Sequence, residues 1–174
     1  MTRRLFVFGL LALILTAVES AFLGAMGLTE VGLSLALGVL LLVATRATDI
    51  EGAAVAALVG YGWDVFSGAP MGLSVGPAVG VFVLARMLSQ AVEVKGGLEI
   101  AILGFVGAFL HGLACLGLLF ISGSMGELLF WPALRGLMSH SLAAAVVVVP
   151  VFAFTRWLDR LLGEDRNESE AWLS

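Results

Sequence analysis

From Leu98 to Ile121 the chain runs through apolar residues with a single formal charge, Glu99, near its start. A helix that crosses a bilayer needs ~20 mostly apolar residues, with a usable range of roughly 17–25. This run supplies them, and it has company. Further apolar segments cover Leu5 to Leu23, Thr29 to Thr45, Gly52 to Phe66, a stretch ending near Leu88, and Leu137 to Trp157. The second and third are short, so either reads also as a segment tilted into protein or re-entrant. Composition agrees: of 174 residues, 60% are hydrophobic and 13% charged, whereas a soluble domain carries roughly a quarter charged residues. The expected fold is all-α, a polytopic transmembrane bundle of about six helices over residues 1–162. The polar cytoplasmic tail, 163–174, is too short and too charged to fold alone and is expected to be disordered.

The first segment also has the layout of a secretory signal, with Arg3 and Arg4 ahead of an apolar run and small residues at Ser20 and Ala21. Thr2-Arg3-Arg4-Leu5-Phe6 is similar to a twin-arginine signal as well. Apolar sequence resumes after Glu19, however, and no soluble domain follows for export, so the segment reads as an uncleaved first helix. Orientation follows from the basic residues, which resist translocation. With the N-terminus inside, Arg3, Arg4, Arg46, Arg86, Lys95, Arg156, Arg160 and Arg166 fall on the inner side and only Arg135 on the outer. Six crossings with both ends in the cytoplasm give that eight-to-one split; five or seven would place the C-terminal basic cluster outside.

The net charge of −4 comes largely from the tail, where Glu164, Asp165, Glu168 and Glu170 lie. No basic stripe suited to phosphates is present, so nucleic acid is not an expected partner. Cys115 stands alone in an apolar run and reads as a small packing residue. His111 and His140 are two lone histidines without a cluster of further ligand residues, a poor metal site, so neither a metal nor another cofactor is expected. No phosphate loop, zinc-protease or dinucleotide motif occurs, and the chain reads as non-enzymatic. Trp131 and Trp157 suit the outer and inner interfaces, where amphipathic rings lie. Glu19 is expected at the outer headgroups or paired with Arg135.

The segment from Gly60 to Leu73, G-Y-G-W-D-V-F-S-G-A-P-M-G-L, holds the most chemistry. A carboxylate at membrane depth costs ~2.5–3.5 kcal/mol at a helix centre, so Asp64 calls for a partner or a watery site. Gly68, Pro70 and Gly72 spell a tight turn, because proline fixes φ and glycine permits φ > 0. Gly72, Gly76 and Gly80 recur every four residues and give the fourth helix a small face, with Pro77 beside it as a candidate kink. Two readings stay open. Asp64 caps a helix end while the glycines only pack, or Asp64, Gly68, Pro70, Gly72, Gly76 and Gly80 form a surface for a partner or ligand. Gly104, Ala108 and Gly112 make a second stripe, read as packing within the chain, with an intermolecular face as the alternative.

The G-x-x-x-D-x-x-x-G-x-P-x-G spacing from Gly60 to Gly72, with the length and the six expected helices, resembles the MreD family. These are small polytopic inner-membrane proteins of the bacterial rod-shape system. The resemblance implies a non-enzymatic scaffold of the elongasome, working with MreC, with the glycosyltransferase RodA and with its penicillin-binding transpeptidase in peptidoglycan synthesis and cell shape. The family is also similar in fold to the substrate-binding subunits of energy-coupling-factor transporters. The alternative is therefore a small-molecule-binding subunit, which would need a polar outer pocket and an Ala-x-x-x-Ala docking helix. Ala53 and Ala57 have that spacing.

Overall fold

The computed structural model describes residues 2–26, 35–91, 96–123 and 127–171, and these are helical without strands. Six helices follow in order: α1 (Thr2–Met26), α2 (Leu35–Arg46), α3 (Asp49–Ser67), α4 (Val75–Ala91), α5 (Gly97–Ile121) and α6 (Glu127–Ala171). Two are long and apolar enough to cross a membrane: α5 over its full length, and Trp131–Leu158 within α6. Core helices of soluble proteins have similar composition but are enclosed. Here only 17% and 33% of the most apolar stretches are buried. Phe6, Leu10, Ile14, Val18 and Phe22 of α1 also face outward, an apolar stripe at helical spacing.

α2 sits at the centre. Ala36, Leu37 and Val39 to Ala44 are each at most 1% exposed, and the helix touches all five others. An element apolar on every side has to be enclosed on every side. Its 12 residues rise only about 18 Å at 1.5 Å each, well short of a ~30 Å hydrocarbon core. The Thr29 to Ser34 part of the second expected segment lies outside the described residues.

Around α2, small residues set how closely the helices approach. α1 and α3 run parallel: a Cβ on Gly9 would meet Leu58 at 3.2 Å, and one on Gly62 would meet Leu13 at 2.5 Å. α5 and α6 run antiparallel and form the most extensive pairing. There Gly104 lies against Val148 and Gly112 against Leu137, with Ala108 buried between them. The second small stripe thus packs inside the chain.

Three boundaries differ from the sequence expectation. α6 begins at Glu127, so Pro132 and Arg135 lie within a helix and not in a connection. Past the first turn a proline loses one backbone bond and crowds the carbonyl four residues back, at ~3 kcal/mol, yet the helix continues through Pro132. At its other end the α6 backbone is helical to Ala171, past the expected end of the sixth segment at Trp157. Residues 164–171 contain no glycine or proline, and their Glu, Arg and Ala are good helix formers. Finally, Pro77 lies in the first turn of α4, where its missing N–H has no partner to lose. It does not kink that helix.

Candidate functional site

Asp64 is 1% exposed and lies one turn before the end of α3. Its two oxygens reach across the following turn. Oδ2 accepts from the Gly72 amide at 2.8 Å and Oδ1 from the Ser74 amide at 2.9 Å. Ser74 immediately precedes α4, and its carbonyl accepts the Ala78 amide at 2.9 Å. The carboxylate therefore occupies the positive N-terminal end of α4, where unpaired amides and the helix dipole favour an anion. A buried charge is tolerated here because both oxygens are satisfied by groups that would otherwise be orphaned.

The turn between them needs glycine at two points. Gly68 ends α3 in the left-handed region, with φ 70° and ψ 17°, the usual glycine helix stop. Gly72 has φ 91° and is the third residue of a turn closed by the Leu73 amide on the Pro70 carbonyl at 3.1 Å. A type II turn requires positive φ at that position. Gly60, one turn before Asp64, is required for space: a Cβ there would stand 2.7 Å from the Ser74 carbonyl oxygen and 2.8 Å from the Val75 Cα. Gly60 and Asp64 thus seat the start of α4 against α3, one by proximity and the other by hydrogen bonds.

The glycines expected to form one face do not act together. Gly72 belongs to the turn, and only Gly76 and Gly80 lie on α4. Both are exposed, and a Cβ on either would meet nothing within 4 Å. On the opposite side of the same helix, Ala78 and Phe82 are at most 1% exposed. Pro70 is exposed at the turn's surface.

A thin polar seam runs inward from the turn. The Ser74 hydroxyl lies 3.9 Å from Cys115 Sγ, which lies 3.9 Å from His111 Nε2. The His111 ring meets Trp63 edge to face, centroids 4.6 Å apart. These are loose contacts, and among the described residues no group of three His, Cys, Asp or Glu side chains is arranged to hold a metal.

Two further charges do structural work that the sequence did not reveal. Glu19 is 9% exposed and accepts the Leu35 amide at 2.8 Å. It is buried at the N-terminus of α2 and not out among headgroups. At the opposite end of the bundle, Arg86 Nη1 donates to the Ala44 carbonyl at 3.2 Å and to that of Ala47, closing the C-terminus of α2. The same guanidinium pairs with Asp49 in the first turn of α3. Each charge sits at the helix end whose dipole favours it. Glu19 acts across 16 positions, so no local motif announces it. Ser74 did carry a usable signal, a serine directly before an apolar run.

No family model, curated protein or solved structure matches the chain.

Proposed function

We propose that the chain is a multi-pass protein of the bacterial inner (cytoplasmic) membrane, crossing six times with both ends in the cytoplasm. In this reading it is a non-enzymatic scaffold of the rod-shape machinery. It binds an MreC-like protein and helps to position peptidoglycan synthesis, with RodA and its penicillin-binding transpeptidase as further partners. The observation that carries the proposal is the open face at Gly76 and Gly80, which no side chain of this molecule fills. In lipid, helices associate through close packing because the tails are as apolar as the side chains, and small residues permit that approach.

The transporter-subunit alternative asks for polar groups free to read a ligand on the outer side. Both oxygens of Asp64 are occupied within the chain, and Glu19 is engaged at α2. The cleft between α4 and α5, lined by Leu84, Leu88, Leu103 and Leu110 among others, is apolar and has an empty volume of about 220 Å³, part of it open space. Small-molecule pockets span roughly 300–1,000 Å³ and carry a few convergent polar groups. These features favour the scaffold.

Two measurements test the reading. Reporter fusions after Ser174 should be active in the cytoplasm, and fusions near Gly68 or Ser124 should report the outside. A periplasmic C-terminus would sink the topology. The full chain, tagged and extracted in mild detergent, should co-purify with the MreC-like protein of its own cell. Capture of an energy-coupling ATPase in its place would hand the case to the alternative.

A further inference from the structure

Arg86 and Arg156 both bury their Nε without a hydrogen-bond acceptor, but the surroundings of the rest of each group differ. Arg86 is anchored by the Ala44 and Ala47 carbonyls and by Asp49. Arg156, on α6, is half-buried, and its Nε is buried with no hydrogen-bond acceptor against it. Arg156 lies inside the apolar Trp131–Leu158 stretch, where a guanidinium is among the costliest groups a helix can carry. The Thr155 hydroxyl, one residue before, is itself a donor to the Val151 and Phe152 carbonyls, at 2.8 and 3.1 Å.

The neighbourhood points outward. Arg160 is one turn further along and exposed, so the two guanidinium groups lie on one face of α6. Trp157 between them is 54% exposed and rests against Phe154, ring centroids 5.8 Å apart. Two forked donors beside an exposed indole, at the end of an apolar run, match a lipid headgroup at the membrane boundary. Guanidinium binds phosphate oxygens in pairs, and basic positions on the cytoplasmic side of membrane helices collect anionic lipids. We propose that Arg156 and Arg160 form a site for the phosphodiester of an anionic phospholipid in the inner leaflet, with Trp157 against its glycerol region. The proposal rests on the membrane reading of α6 and not on the scaffold role.

The test uses the full chain purified in dodecyl maltoside from the membrane fraction. Phosphatidylglycerol, phosphatidylcholine and inorganic phosphate are added separately, and bound lipid is read by native mass spectrometry alongside the melting temperature. Phosphatidylglycerol should remain bound and raise the melting temperature, and phosphatidylcholine should do neither. Arg156→Gln should weaken phosphatidylglycerol retention about tenfold, the scale of one charge-assisted hydrogen bond. Arg160→Gln, at an exposed position where folding is not at stake, should weaken it severalfold. It carries the test should Arg156→Gln not fold. Equal retention of both lipids, or unchanged retention in the variants, overturns the site. Inorganic phosphate matching phosphatidylglycerol makes it a free-anion site and overturns the lipid assignment. Loss of a bound protein without loss of lipid would mean that Arg156 meets a partner's carboxylate, which also overturns it. A chain absent from the membrane fraction would instead refute the membrane reading itself.

Discussion

Two groups of helical glycines look alike in the sequence and do different work. Gly104 and Gly112 of α5 are filled by Val148 and Leu137 of α6, and Gly60 of α3 is filled by the backbone at the start of α4. Gly76 and Gly80 of α4 keep the same four-residue spacing as the α5 pair's repeat, yet face open space. Spacing alone therefore says only that a backbone can approach. Whether the visitor comes from the same chain depends on which way the helix is turned. For α4 that is fixed by Ala78, Val81, Phe82 and Ala85, all buried on the other side.

The largest expected effect comes from the filled group. Gly60→Val places carbon against the Ser74 carbonyl and Val75 Cα, backbone atoms that cannot swing aside. Over-packing costs typically ~1–3 kcal/mol and occasionally more, and here it would also push α4 off Asp64. We expect little monodisperse protein after detergent extraction. Gly104→Leu should fall next in severity, because a Cβ there already meets three Val148 carbons between 3.1 and 3.3 Å away. Normal yield and melting for both variants would show that the helices are not packed as described.

That division could not have been reached from sequence, and the reason is general to apolar chains. In water, a polar face tells which side of a helix looks out. α2 and α5 both lack one, and α2 proves enclosed on all sides while α5 is mostly half-buried or exposed. The glycine and proline punctuation was legible, since Gly68 and Gly72 announce positive φ by residue type, and so was the need of Asp64 for a partner. Which partner was not legible. Capping by Asp64 and packing by the turn glycines was one of two open readings, and the outcome is mixed: the carboxylate and Gly72 serve the fold, while Gly76 and Gly80 stay free. Helix ends were least legible. The sixth apolar run starts at Leu137, while the helix that holds it has already begun at Glu127.

An intermediate effect sharpens the comparison at the junction of the two groups. Asp64 holds the first turn of the helix that carries the open glycines. Asp64→Asn keeps the shape but replaces one acceptor oxygen with an NH2 that faces the Gly72 or Ser74 amide. An unsatisfied buried donor costs about 1–3 kcal/mol, and at roughly 2–4 °C per kcal/mol for a chain of this size the melting temperature should fall by several degrees. On the proposed scaffold role, rod-shape complementation should also weaken at normal membrane levels. An unchanged melting temperature would mean that the charge is dispensable to the turn.

The smallest effect on the fold is expected at the open glycines, and it is the most informative about function. Gly76 directly precedes Pro77, and a residue with a Cβ in that position is pushed away from helical backbone. Gly80 has no such neighbour and gives the cleaner variant. Replacing a helical glycine by leucine removes the entropic penalty of glycine, worth up to about 1 kcal/mol, and at Gly80 no atom stands in the way. Gly80→Leu should therefore melt at or slightly above the parent temperature. Gly136→Leu is the control, because Gly136 of α6 is also exposed with nothing within 4 Å of its Cβ position. Ala78 cannot serve that purpose, being fully buried. If a partner helix lies against α4, Gly80→Leu forces the two apart and co-purification of the MreC-like protein drops about tenfold, a loss of ~1.4 kcal/mol. Gly136→Leu should leave it unchanged. Equal losses from both variants would point to a general disturbance of the outer surface. If Gly80→Leu is stable and retains the partner fully, the open face meets only lipid, and the partner surface must be sought on another helix.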